Sequence, residues 1–505
     1  MNWKRKRIVA VGLILVLSSV PLVHLNFTEA KSTWRLSHTT RTIRCGSAKN
    51  IAVKNVTAKQ LKKAKWKIEK GKSLVSIKVN KKKDRVAVTA KKAGKARISV
   101  TIGSTRKACV VTVIRVPKAQ TEYSREVADT ALIMLRGLRA SAKDPSNTLI
   151  SPDSILSCLA MTANGAKGDT RTEMEQFFGT KDIADYSAFW KSEHDRLTAV
   201  NKEKDSKVSY NVANSIWTNC DEVTLSDVFV RESREVFDAE IRNLKFDESA
   251  VNQINSWVNK NTNGMIPSII DKLEKDNRAL LINAIGFEGQ WGEQYKDEQI
   301  DPNGLFTTAA HEKQKVVMLS EVEDGRFYLT LNGGDGFIKY YKGGDFAFFA
   351  YLPPEGQTVD EYLAGMTGAD LINAYKNRQD VKVYTKMPEF QYDYSTSLKK
   401  QLQGMGLLLS FSNDADFTGM LDMQKAPDQD RLKISDVLHK THIEVDRNGT
   451  KAAAVTAVVM DKATCMPQER KSVHVTLDRP FVYGIMDTKT GIPLFIGTLD
   501  TVRSR

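Results

Sequence analysis

Two hydrophobic rhythms divide the chain. Between Lys31 and Pro117, apolar residues recur at every second position in KNIAVKNV, AKWKIEK, SLVSIKVN, DRVAVTAKKAGKARISVTI and KACVVTVIRV. A period of two belongs to strands half-buried against a core, and Gly71, Gly94 and Gly103 punctuate them. The pattern predicts a small all-β sandwich over residues 31–117, followed by a linker over 118–122. The rhythm then changes. Val127, Ala131, Met134, Leu135 and Leu138 share one face of a helix expected over Tyr123–Ala140. A short strand leads to Ser151-Pro152, and Pro152 suits the first turn of the apolar helix that follows. Beyond a Gly165-to-Gly168 break, Thr170 and Glu173 have the spacing of a capping box.

A third pattern lies late, in residues 443–471, IEVDRNGTKAAAVTAVVMDKATCMPQERK. Counted by twos, one face is Thr450, Ala452, Ala454, Thr456, Val458 and Met460, all uncharged and mostly small. The other face is Lys451, Ala453, Val455, Ala457, Val459 and Asp461, with charge at both ends. No proline interrupts Thr450 to Met466, so every N–H there is free to join a ladder. The segment after it reads as exposed loop. Such a stretch has two states open to it, a loop and a buried strand.

At 505 residues the chain is too long for one ordinary core, so two or more domains are expected. The net charge of +15 is unevenly spread. Residues 31–118 carry 26 Lys/Arg against only Glu69 and Asp84, and the chain beyond them is net acidic. The overall basicity therefore belongs to the small β region and is no sign of a nucleic-acid binder. The N-terminus reads as a signal peptide over residues 1–30. Lys4 to Arg7 form a positive segment, Ile8 to Val23 an apolar one, and Thr28-Glu29-Ala30 a small-residue cleavage site. This predicts a secreted or cell-surface protein. An uncleaved anchor is the alternative, against which stand the shortness of the stretch and Pro21. The five cysteines are an odd number and none is spaced as Cys-x-x-Cys. Export permits a Cys45–Cys109 disulfide; two reduced thiols are the other reading.

Catalytic motifs are missing. There is no G-x-S-x-G, P-loop, H-E-x-x-H or Rossmann glycine pattern. The glycines of NGGDGF are not followed by a helix pattern. His439 and His442 are three apart on a strand-like segment, which puts them on opposite faces and argues against a shared metal. No enzyme, cofactor or metal site is expected.

From NTLISPDSILSCLAMTANGAKGDTRTEMEQFF onward the chain resembles the serpin family of serine protease inhibitors. The likeness keeps its order through VANSIWTN, VNQINSWVNKNTNGMIPSII, ALLINAIGFEGQWGEQY, FAFFAYLPPEG, VYTKMPEFQYDYSTSLKKQLQGMGL, FSNDADFTGM, ISDVLHKTHIEVDRNGT and RPFVYGIMDTKTGIPLFIGTL. It covers about residues 123–503, within a domain taken as 123–505. The β region, with Trp66 early, then VTAKKAG and a last strand ending in VTV, resembles the bacterial immunoglobulin-like group 2 domain. The resemblances imply a multidomain bacterial protein. An immunoglobulin-like sandwich would precede an α+β serpin fold with a large central sheet and a mobile reactive loop.

The serpin likeness implies a suicide mechanism. A target serine protease attacks the loop, forms an acyl-enzyme, and is carried along as the cut loop enters the sheet as a strand. Gly449, Thr450, Lys451, Ala452, Ala453 and Ala454 are then the loop hinge. A reactive bond about fourteen positions beyond Gly449 falls at Ala463–Thr464, which suits an elastase- or subtilisin-like protease. Lys462 is the runner-up, suiting a trypsin-like enzyme, and counting back from RPF points instead near Glu469–Arg470. Ser151, Ser154, Asn283 and His439 match the polar cluster where the sheet opens, and Trp291 the tryptophan at the mouth that receives the loop. Arg447 departs from the family, which usually has Glu there, and so puts a local ion pair in doubt. The basic module suits an anionic cell-wall polymer such as teichoic acid, or a glycan, as partner; a solvated face with no specific partner is the other reading. The chain is expected to be a monomer. The alternative function is a non-inhibitory serpin acting in binding or surface adhesion.

Overall fold

The computed structural model describes residues 34–44, 48–92, 94–114, 120–142, 146–203, 206–273, 277–427, 432–450 and 471–502. The chain divides into two compact units, Met1–Val113 and Ile114–Arg505. Residues 1–30 expected as a signal, Cys45, and the loop residues Lys451 to Ala454 and Lys462 to Cys465 lie outside the described residues.

The smaller unit follows the period-two pattern. One sheet runs Arg35–Leu36, Ala48–Lys54, Arg85–Ala90, Val75–Val79; the other runs Thr40–Arg44, Thr105–Ile114, Gly94–Ile102, Lys65–Lys70. Each has four strands. Alternate residues Ile51, Val86, Val88, Ile98, Val100 and Val111 are buried in one shared core. A single-turn helix, Ala58–Lys62, was not expected from periodicity; Thr57 and Gln60 close it with a reciprocal capping box. Cys109 is a buried free thiol, its pKa pushed up to about 11 by burial.

The larger unit holds a nine-stranded sheet and a six-stranded sheet. The six strands are β1 (Val208–Asn219), β2 (Glu240–Leu244), β3 (Ala279–Gln290), β4 (Phe390–Ser397), β5 (Val437–Val445) and β6 (Gly449–Thr450). Their order is β2-β1-β3-β6-β5-β4. β3 is apolar almost throughout, as a central strand covered on both faces must be. Against one face packs helix α2 (Glu248–Asn261), whose Ile254 and Val258 meet Trp217, Leu280, Ile282 and Ala284. Beneath the other lies helix α1 (Pro152–Ala163), with every residue buried but Asp153. Its polar side chains are small apart from Asp153, so the helix can sit inside the core, and its first turn opens on Pro152 as the sequence predicts. The helix expected over Tyr123–Ala140 spans Gln120–Ser141.

The capping box expected from Thr170 and Glu173 does not form. The helix begins earlier, at Gly168, so Thr170 is already inside it. Its hydroxyl accepts the Asp416 N–H at 2.8 Å. The Glu173 carboxylate instead accepts the N–H groups of Leu408, Leu409 and Ser410 at 2.6–2.8 Å. A remote turn with three free donors takes the acid that local spacing assigned to the helix start.

Candidate functional site

The site is the line along which β3 and β5 meet and then part. They run parallel and pair at only one end, Leu281 to Ala284 against Val437 to Lys440. Toward their C-terminal ends no further pairs join them among the described residues. In the widened gap sits β6. Thr450 pairs antiparallel with Gly289 on one side and with Val445 on the other, and Gly449 pairs with Gln290. Gly449 and Thr450, two residues of the expected hinge, thus stand as a strand between strands.

Local chemistry delivers them there. The Asp446 carboxylate accepts the N–H groups of Asn448 and Gly449 at 2.7 and 3.0 Å, and the Asp446 N–H donates to the Gly449 carbonyl at 2.9 Å. This Asx-type turn reverses the chain after β5. Gly449 is required by space: a Cβ there would lie 2.0 Å from the Gly289 carbonyl oxygen and 2.9 Å from the Gln290 Cα. Trp291 braces the turn from below, its indole donating to the Asp446 carbonyl and its N–H to the Asn448 carbonyl, both at 2.9 Å. Tyr341 stacks on Trp291 with centroids 4.7 Å apart, and its hydroxyl shares a 2.6 Å hydrogen bond with the Thr450 hydroxyl. Thr450 is buried.

Arg447 does not leave this corner unpaired. Its guanidinium lies 3.1 Å from Asp297 and 3.8 Å from Glu389, and its N–H donates to Glu389 at 3.2 Å. Burial raises the Glu389 pKa, and Arg447 draws it back. Beside Trp291 lies a second charged group. The buried Lys339 ammonium contacts Glu321 and sits over the Tyr295 ring at 4.4 Å and the Trp291 ring at 5.6 Å. Glu323, near both, has its pKa pushed up to about 7 by burial first and then by the Glu321 charge; Lys339 acts against the shift.

The closed end of the gap is sealed by side chains. Ser154 on α1 donates to Asn283 on β3. The Asn283 amide donates to Asn214 on β1 at 2.7 Å, and the Asn214 amide donates to Ser157 at 3.0 Å. Ser151 joins through its backbone, donating its N–H to His439 Nε2 at 3.1 Å. Its hydroxyl and His439 Nδ1 are buried without a partner. Burial lowers the His439 pKa to about 3, so the ring is neutral. His442 faces the other way and pairs with Asp393 at 2.6 Å.

The structure therefore brings together Ser151, Ser154, Asn283 and His439 but places Trp291 at the opposite, open end, with Gly449 and Thr450. Asn214 and Ser157 were missed by sequence reasoning. A buried amide within VANSIWTN, directly opposite Asn283 in the ladder, was the available signal.

The whole arrangement, with a long central sheet, a seeded gap and a polar seal, is that of a serpin. The model of the family described as Serpin (serine protease inhibitor) matches residues 125–501, and the chain belongs to that family. Iripin-1 of Ixodes ricinus is 28% identical over 380 residues, covering 72% of this chain and 93% of that protein. Alpha-1-antiproteinase of Rattus norvegicus is 29% identical over 383 residues, covering 74% and 88%. The solved structure of the thermophilic serpin Tengpin in the native state is similar with a TM-score of 0.69 at 33% identity, over 77% of this chain and 96% of that one. Its latent state gives 0.65 at 30%, over 77% and 100%. No helix among the described residues is long and apolar enough to cross a membrane.

Proposed function

We propose that the chain is an exported bacterial inhibitor that traps a serine protease by inserting its cut loop into the six-stranded sheet. The observation that carries this reading is the seeded gap. Continuing the pairing of Thr450 with Gly289 and Val445 places Ala452 between Phe287 and Ile443, and Ala454 between Ile285 and Thr441. Thr456 then arrives between Asn283 and His439, which are paired today. There its hydroxyl would meet the two buried groups now without partners, Ser151 Oγ and His439 Nδ1. Leaving such groups unpaired costs about 1–3 kcal/mol each, so insertion has a local driving force besides the new ladder bonds. The alternate residues from Thr450 to Met460 are uncharged, as that face requires. About fourteen inserted residues at about 3.3 Å each span roughly 45 Å, far enough to carry an attached protease along the sheet.

The reactive bond in this reading is Ala463–Thr464, with Lys462 second, and the target is elastase- or subtilisin-like because a shallow apolar pocket accepts Ala. Residues 31–117 form an immunoglobulin-like module that attaches the inhibitor to an anionic cell-wall polymer or glycan. Its charge supports this. The protein acts as a monomer.

Mixed with an elastase, the full chain is expected to give an SDS-stable one-to-one complex. Loop cleavage without complex would return the chain to the non-inhibitory alternative. Ala463→Arg is expected to shift preference toward trypsin-like proteases; unchanged preference would move the bond elsewhere.

A further inference from the structure

One end of the small unit gathers cations from two separate segments. The helix Ala58–Lys62 and the turn between Val75–Val79 and Arg85–Ala90 are separate in sequence but fastened in space. The Lys83 ammonium donates to the Lys62 carbonyl at 3.3 Å, and the Trp66 indole donates to the Lys83 carbonyl at 3.1 Å. This juxtaposes Lys62 and Lys63 with Lys81, Lys82, Lys83 and Arg85, all exposed. Lys83 holds a left-handed backbone, φ 57°, where Gly or Asn is usual. Strain and like-charge crowding therefore fall on the same residue.

Little within residues 31–118 offsets this charge. Of the two acids there, Glu69 lies between Arg97 and Arg106 at 3.1 and 2.6 Å, on the outer face of the other sheet. Asp84 is taken by Asn80 at 2.5 Å and by Arg85 at 3.4 Å. A surface that sets six cations around the single carboxylate of Asp84 is complementary to an external anion. The chemistry narrows the ligand. Five of the six cations are lysines, whose compact point charges bind phosphate. Residues 31–118 hold only two aromatics, Trp34 and Trp66. Trp34 is buried and Trp66 packs against the core, so neither is set out as a free platform for stacking bases.

We infer that the end of the small unit formed by Lys62, Lys63, Lys81, Lys82, Lys83 and Arg85 is a binding site for a linear phosphodiester polymer. This rests on the reading of residues 31–117 as an attachment module and gives that module its contact surface.

The test titrates the full chain with a synthetic glycerol phosphate oligomer at increasing salt. Lys81/Lys82/Lys83→Ala is expected to weaken binding about tenfold or more near 0.1 M salt. It should also lower the log–log salt slope by about 2, because each single-strand phosphate that a lysine neutralises adds about 0.7. Lys83→Asn, which tolerates the left-handed backbone, should show part of the loss with the fold intact. The control is Lys72/Lys91/Lys92→Ala, which removes equal charge from the other end of the Arg85–Ala90 strand. It should cost less than about twofold. Equal losses from the two triple variants would overturn the site and leave the attachment reading standing. No binding by the unaltered chain at low salt would overturn the attachment reading itself. Equal or tighter binding of polygalacturonate of matched charge would overturn the phosphodiester assignment.

Discussion

The two ends of the β3–β5 seam are made from the same pair of strands and behave as opposites. At the closed end four residues of each strand face each other in register, and the join is backed by Ser154, Asn283, Asn214 and Ser157. At the open end the strands are separated by Gly449 and Thr450, and the support is aromatic: Trp291 under the turn and Tyr341 against Thr450. The difference lies in how readily each contact is exchanged. A chain of amides and hydroxyls can trade one partner for another, so on the proposed mechanism the closed end is a seal that an incoming hydroxyl replaces. Stacked rings and a tight turn have no such substitute, so on that mechanism the open end fixes where the inserted strand begins.

The largest break in this comparison is Thr450→Arg. A guanidinium has no partner in a pocket built for a hydroxyl and would hold the hinge out of the gap. Protease cleavage should continue while stable complex falls by about a hundredfold, read from the ratio of complex to cleaved chain on denaturing gels. Unchanged complex yield would mean that the seed does not guide insertion.

Asn283→Ala attacks the other end. It leaves Asn214 and Ser154 buried and short of a partner, costing about 1–3 kcal/mol. The unfolding midpoint in denaturant should drop accordingly, and conversion to an inserted form on warming should be faster. A variant that lost stability but converted more slowly would contradict the seal.

The smallest effect separates the ends by pH. His439 at the closed end, with a pKa near 3, stays neutral across the ordinary range. Glu323, near the open end, keeps its proton in the folded chain up to about 7, whereas the unfolded chain releases it near 4.5. The Glu323 contribution to native stability should therefore fall as pH rises from about 4.5 to about 7, whereas the His439 contribution has the opposite sign and rises from about pH 3 to about 6.5, where the unfolded ring loses its proton. Glu323→Gln should remove the falling contribution in thermal unfolding and leave the rising one in place.

The strands of the small unit were legible where burial imposes a period, as in Arg85–Ala90, and so was the start of α1 at Pro152; β3, buried on both faces, has no such period and was legible through the family resemblance. The run of small alternating residues after Gly449 is legible in the sequence, and beyond Thr450 it lies outside the described residues. What escaped was decided by distance along the chain. Glu173 serves a turn more than 230 residues away, and Arg447 finds Asp297 and Glu389 across the fold. Asn214 reads as one polar residue in a strand until the ladder sets it against Asn283. Local spacing carries no information about such partners.

The two residues of β6 also bear on timing. Bringing chain ends together is the slow, entropically costly part of forming a new strand, and adding pairs to an existing nucleus is fast. Here the nucleus exists before any bond is cut. On the proposed mechanism the outcome is a race between zippering from Thr450 and hydrolysis of the acyl bond, and zippering starts without a lag. The fraction of protease trapped would then depend on how fast the closed end lets go.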